Sequence, residues 1–215
     1  MVVRELGRMA YREAWALQKR LVDDRVAGRV PDTLVLVEHP PTVTLGRGSK
    51  DGDLLFDTEA LAQQGVECVS IERGGRATFH GPGQLVGYPI VALREVGLSP
   101  VSFLRRLEDG LVDALAELGV AAAREPGLTG VWVARDKIAA MGIAVSRGVT
   151  YHGFALNVCD RLEGFDCIVP CGIPESDHGV TSIERVLGRR VDVDDVSPIV
   201  ARHVVAALSP REIHA

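Results

Sequence analysis

A cysteine, a lysine and a glycine-rich stretch carry most of the chemistry that this sequence advertises. Cys171 lies between Pro170 and Gly172 in "CIVPCGIPESDHGV", a loop-like run that leads to a helix start at "TSIER". A thiol held in such a turn can sit in the positive field of backbone N–H groups, which favours the nucleophilic thiolate. The competing reading is a small buried apolar side chain, the usual fate of a free cysteine. Lys137 opens the apolar run "KIAAMGIAV" from a tight turn. It reads either as a solvated strand end or as an amine turned into a pocket, where desolvation would make it a usable base.

The third feature is "RGGRATFHGPGQ", Arg73 to Gln84, with four glycines, two arginines and His80 in one stretch. It suits neither a helix nor a strand interior, and it reads as a loop between two apolar strands. Glycine lets a backbone take positive φ and approach a ligand closely. Gly74, Gly75, Gly81 and Gly83 lack the spacing of a dinucleotide fingerprint, and the Gly-Lys-Ser/Thr ending of a Walker loop is absent. The loop therefore reads as a site for a phosphate, a carboxylate or an acyl carbonyl, against a decorated hairpin turn. Two further runs are rich in small residues: Ala139, Ala140 and Gly142 in one, Gly153 and Ala155 flanking Phe154 in the other. They suit a slot for an alkyl chain, or tight sheet packing.

The elements that must position these residues follow from periodicity. Tyr11, Trp15, Leu21, Val22 and Val26 recur at helical spacing, with Gly28 as a stop. "TLVLVEH", "PPTVTLGRG", "VECVSIER" and "QLVGYPIVAL" read as strands, the last two on either side of the glycine-rich loop. "SPVSFLRRLEDGLVDALAELGV" is a helix capped by Ser99 with Pro100 at its first position. "GVWVARDKIAAMGIAV" and "VTYHGFALNV" are strands turning at Arg135-Asp136 and Arg147-Gly148. Thr181 and Glu184 have capping-box spacing for a short helix, and Ser197-Pro198 opens a last one. The order is not a strict strand-helix alternation, so residues 1–215 read as one α+β domain with a mixed sheet and packed helices.

Composition narrows the function classes. Net charge is −5 without charge blocks, so a nucleic-acid partner is not expected. No run approaches the roughly 18 apolar residues of a membrane helix, and no signal-peptide pattern opens the chain. A cytoplasmic location is expected, with the four cysteines as thiols. Cys68 reads as strand core, and Cys159 and Cys167 as structural. Cys159, Cys167, Cys171 and His178 are four soft ligands, but no Cys-x-x-Cys clip is present and the spacings are irregular, so no metal site is expected.

Taken together, "RGGRATFHGPGQLVGYPI", "KIAAMGIAV" with "YHGFALNV", and "PCGIPESDHGVTSIE" resemble the lipoyl (octanoyl) transferase family; "LVLVEHPPTVTLGRG" fits it too. The resemblance runs from about the first helix to Glu184. It implies transfer of an octanoyl group from octanoyl-acyl carrier protein to a lysine of lipoyl domains, those of 2-oxoacid dehydrogenases and of the glycine cleavage H protein. It implies the mixed-sheet fold of lipoate and biotin protein ligases, and no cofactor. The family's nucleophile falls on Cys171 and its partnering lysine on Lys137. Its substrate-binding segments fall on Arg73, Gly74, Gly75, Arg76, Ala77, Thr78, Phe79 and His80, on Ala140, Met141 and Gly142, and on Gly153, Phe154 and Ala155. Rival expectations are an ATP-dependent lipoate or biotin protein ligase, which needs no nucleophilic cysteine, a lipoyl amidotransferase, and a non-catalytic acyl or lipoyl-domain binder.

Overall fold

Strands that are apolar along their whole length need cover on both faces, and the computed structural model shows what supplies it. It describes residues 1–169 and 178–209. Along the chain come β1 (Val2–Arg8), α1 (Tyr11–Val26), β2 (Thr33–Glu38), β3 (Thr42–Leu45), α2 (Thr58–Gln63), β4 (Glu67–Ser70), β5 (Ala77–His80) and β6 (Gln84–Ile90). Then follow α3 (Pro100–Glu117), β7 (Val131–Val133), β8 (Asp136–Ser146), β9 (Val149–Asn157), a 3-10 turn over Glu163–Cys167, α4 (Ile183–Leu187) and α5 (Val193–Leu208). A six-stranded sheet has the order β1-β2-β6-β9-β8-β7, and a three-stranded sheet the order β4-β3-β5. Each is mixed, parallel at β1–β2 and at β3–β4 and antiparallel elsewhere. The α+β class and mixed sheet match expectation.

Period-2 alternation splits the buried strands between two cores. Leu34, Leu36, Leu85, Phe154 and Leu156 pack with α3 and α5, while Val35, Val37, Val86, Tyr88 and Ala155 pack with α1. The β8–β9 hairpin turns at Arg147 and Gly148, both at positive φ, as a two-residue hairpin loop prefers.

Three local expectations are corrected, and β1 carries none. β1 is a strand although its residues are mostly exposed; it is held by backbone pairing to β2, which leaves no burial pattern to read. Ala77–His80, expected as loop, is β5, buried throughout and paired antiparallel with β3. The cap of α4 is Ser182, whose hydroxyl accepts from the Arg185 amide at 3.1 Å; the Thr181 backbone instead bonds Lys137 and Asn157. Helix α5 begins at Val193 with Pro198 inside it, because the apolar stripe Val196, Val200 and Val204 runs past the proline and is fully buried. The short α2, capped by Asp57, carries no expectation from the sequence.

Candidate active site

The second sheet lies against the α1-facing side of the first, and between them is a cavity of about 240 Å³. Arg73, Gly75, Arg76, Thr78 and His80 line it from β5 and the turn before it. Lys137, Ala140, Met141 and Gly142 come from β8, and Gly153, Phe154 and Ala155 from β9. Three distant segments of the sequence thus meet at one cavity. Gly74 does not line it but donates its N–H to the Ile143 carbonyl at 3.0 Å, tying the turn to β8. Ala77 and Phe79 face the other way, into a core with Leu61, Phe165 and Ile168.

The small residues serve close packing as well as the cavity wall. Gly142 and Gly153 are cross-strand partners. A Cβ on Gly142 would stand 2.7 Å from the Gly74 carbonyl oxygen, and one on Gly153 would stand 2.2 Å from that of Gly87. Both readings of these strands therefore hold at once.

Lys137 is 8% exposed, so it is a pocket lysine and not a solvated strand end. Its Nζ lies 4.6 Å from the Trp132 ring centroid, a cation–π distance. Its backbone binds the chain returning from Cys171: the Lys137 N–H donates to Gly179 at 2.9 Å, and the Thr181 N–H donates to Lys137 at 3.0 Å. On the outgoing side, the Val169 N–H donates to Asp53 at 2.9 Å, and Ile168 bridges Leu54. Asp53, 1% exposed, is ion-paired with Arg76 on the cavity wall. Burial pushes the Asp53 carboxyl up, but Arg76 and the Lys50 amide outweigh it and hold it below the usual range. Cys171 itself lies outside the described residues.

The other thiols have structural settings. Cys68 is half-buried on β4, Cys159 donates to Val191 O at 3.3 Å, and Cys167 donates to Gly164 O at 2.9 Å. Burial pushes all three thiols up, away from the thiolate.

His80 is buried in a network whose directions can be read from a backbone carbonyl, which only accepts. Asn157 Nδ2 donates to Thr181 O at 2.9 Å, so Asn157 Oδ1 must face Gln84, whose Nε2 donates to it at 2.9 Å and to Phe79 O at 3.2 Å. Gln84 Oε1 is then left to accept from His80 Nδ1 at 2.9 Å. This fixes the neutral His80 tautomer with the proton on Nδ1 and the lone pair on Nε2, 3.4 Å from the Thr44 hydroxyl. Burial, with His39 nearby, lowers the His80 pKa to about 3. His39 is fixed the same way: Nδ1 donates to Met9 O at 2.8 Å, so Nε2 accepts from the Tyr88 hydroxyl at 2.7 Å. Arg73 is anchored by NH2 donating to Thr44 O at 2.8 Å and Thr44 Oγ1 at 2.9 Å.

Comparison with known proteins decides the family. The chain matches the lipoyl protein ligase A/B catalytic domain over residues 10–205. It is 49% identical to an octanoyltransferase of Mycolicibacterium smegmatis over 215 aligned residues, 97% of this chain and 90% of that protein. The chain belongs to the octanoyltransferase family. These are acyltransferases, and their fold is shared with ligases. A lipoate-protein ligase A structure bound with ATP superposes with a TM-score of 0.73 at 18% identity, covering 99% of this chain and 88% of that one. A biotin protein ligase from Aquifex aeolicus superposes at 0.55 and 15% identity, covering 97% and 69%.

Several cavity residues of this octanoyltransferase-family chain escape sequence reading. Tyr11, Val86 and Tyr88 have the spacing of ordinary core, and Gly127, Leu128 and Thr129 sit in an unpatterned turn. His152 gives a signal only in its backbone, discussed below. No helix among the described residues is long and apolar enough to cross a membrane.

Proposed function

We propose that residues 1–215 act as one octanoyltransferase domain, which moves an octanoyl group from octanoyl-acyl carrier protein to a lysine of lipoyl domains through a thioester on Cys171. The observation that carries the reading is the placing of Lys137. It lines a largely apolar cavity, and its own backbone is bonded to the segment that returns from Cys171. The Cys171 thiolate attacks the donor's thioester carbonyl, and the carrier thiol leaves as the acyl group moves to the enzyme. The acceptor lysine amine then attacks the new thioester, an amide forms, and the Cys171 thiolate is released. Exchange between two thioesters is near thermoneutral, so acyl activation survives the first step without ATP. Lys137 takes the thiol proton, returns it to the departing carrier thiolate, and later takes that of the attacking amine.

The substrate segments divide the work. Ala140 to Gly142 and Gly153 to Ala155 flank the alkyl chain, and the segment Arg73 to His80 lines the slot beside it. His80 cannot donate to an acyl carbonyl, because its one N–H is committed to Gln84. It orders the loop instead. The acceptors in this reading are the lipoyl domains of 2-oxoacid dehydrogenases and the glycine cleavage H protein.

The test is intact mass after brief incubation with octanoyl-acyl carrier protein and no acceptor. A single octanoyl adduct, lost in Cys171→Ala, is expected. A folded protein that shows no adduct overturns the covalent route; turnover with free octanoate and ATP would then identify a ligase, and indifference to Cys171→Ala a binder.

A further inference from the structure

His152 lines the same cavity as Lys137, at its other end. Lys137 and Ile143, the β8 partner of His152, are six positions apart, and the Lys137 stem runs beside Gly130 toward Ala139, which shortens the span from its amine to His152. Nothing in the sequence motifs singles it out, but its backbone does. His152 has φ +56°, in the left-handed region that non-glycine residues avoid. Regular alternation from Ala155 on the α1 side would send His152 to the opposite face with Phe154. The turned backbone instead directs its N–H to Gln18 Oε1 on α1 at 2.8 Å and brings the ring beside Glu72 and Tyr151.

The local sheet allows this departure. The β6–β9 ladder pairs Gly87 with Phe154 and resumes at the Ala92–Val149 bridge. Between them Pro89 has no N–H to give, and the Thr150 hydroxyl donates to Pro89 O at 2.6 Å. Strain of this kind is kept where the surroundings enforce it and points to function. The ring is 1% exposed, and neither ring nitrogen has a hydrogen-bond partner among the described residues. The nearest carboxylate oxygen, on Glu72, is 3.6 Å away, beyond hydrogen-bond reach.

Building on the acyl-slot reading above, we propose that His152 is a specificity-determining residue that sets the length of the acyl chain by forming a polar wall where the terminal methyl lies. A chain that stops short of the ring gains the burial of every methylene. A longer one must lay hydrocarbon against a polar ring that a strained backbone holds in place. With its pKa lowered to about 3 by burial, and by Arg73 and Lys19, the ring stays neutral across the working range, so the wall is not a charge. Of the groups around it, Glu72 approaches from the β4–β5 connection, Lys19 and Gln18 from α1, and Arg73 from the glycine-rich turn.

The experiment compares kcat/KM for decanoyl- and octanoyl-acyl carrier protein in the unaltered chain, His152→Leu, His152→Gly and His152→Gln. An apolar or open end should raise the decanoyl-to-octanoyl ratio by about tenfold, two methylenes' worth of burial. The polar Gln should leave it near the original value. The ratio cancels general damage to the fold, and Gly accepts the positive φ without strain if Leu does not. An unchanged ratio in Leu and Gly variants that still transfer octanoate overturns the proposal. So does an equal loss with both donors, which marks a merely structural residue. If the unaltered chain accepts neither donor, the acyl-slot reading fails first and separately.

Discussion

Lys137 and Gln84 show how much one side chain can carry when its surroundings commit every atom near it. The Lys137 stem is buried beside Trp132, so its amine is presented to the cavity and not to solvent. Lys137→Met keeps the apolar stem and removes only the amine. Octanoyl transfer in single-turnover experiments should fall by about 10²–10⁴-fold, the usual worth of a positioned proton acceptor, with the thermal midpoint little changed. A variant of undiminished rate would remove Lys137 from the chemistry. Gln84 makes three side-chain hydrogen bonds inside the protein. Gln84→Leu is close in shape and strands His80 Nδ1, Asn157 Oδ1 and Phe79 O. Orphaned buried groups cost about 1–3 kcal/mol each, so urea unfolding should show a loss on the order of 3 kcal/mol. A loss under about 1 kcal/mol would mean that the network relaxes and that the His80 tautomer is not held as described.

At the scale of elements, the glycines of β8 and β9 bring backbones together. In Gly153→Ala the new Cβ meets the Gly87 carbonyl oxygen at 2.2 Å and the Pro89 ring at 2.6 Å, neither of which is a flexible side-chain end. Overpacking of this kind costs about 1–3 kcal/mol or more. Gly65→Ala is the control: φ is +75° but nothing lies within 4 Å, so only the left-handed penalty of about 1–2 kcal/mol applies. Circular dichroism melts should rank Gly153→Ala well below Gly65→Ala. The reverse order would show that β6 and β9 can shift apart. These strands also mark what the sequence allows to be read. β2, β6 and β9 were legible because burial on both faces leaves unbroken apolar runs, and α3 because Ser99-Pro100 and its leucine stripe agree. β1 was not, since its mostly exposed residues leave no burial pattern, and β5 was hidden by the glycines around it. The cavity's three motif segments were legible as chemistry. Tyr11 and Tyr88 were not, because their spacing is that of ordinary core, and neither was His152, which a left-handed φ brings in.

At the scale of the whole molecule, three buried histidines make the fold sensitive to acid. Burial lowers His39 to about 4 and both His80 and His152 to about 3, against about 6.5 in an unfolded chain. Below about pH 6.5 the unfolded chain therefore binds protons that the folded chain refuses, so stability falls as pH falls. The contribution is complete above that pH and is lost progressively down to about pH 3. Each histidine adds a slope of up to about 1.4 kcal/mol per pH unit within that window. Asp53, held below the usual carboxylate range, adds to the loss at the acid end. Urea midpoints at pH 7, 5.5 and 4.5 should fall over both steps, more steeply per pH unit over the second, and change little above pH 7. His152→Gln isolates one share, because the ring has no hydrogen bond among the described residues to lose. Its slope between pH 5.5 and 4.5 should be shallower by about 1 kcal/mol per pH unit. An unchanged slope would mean that His152 takes up its proton in the folded chain, and a charged ring at that end of the cavity would be a different wall from the neutral one argued above.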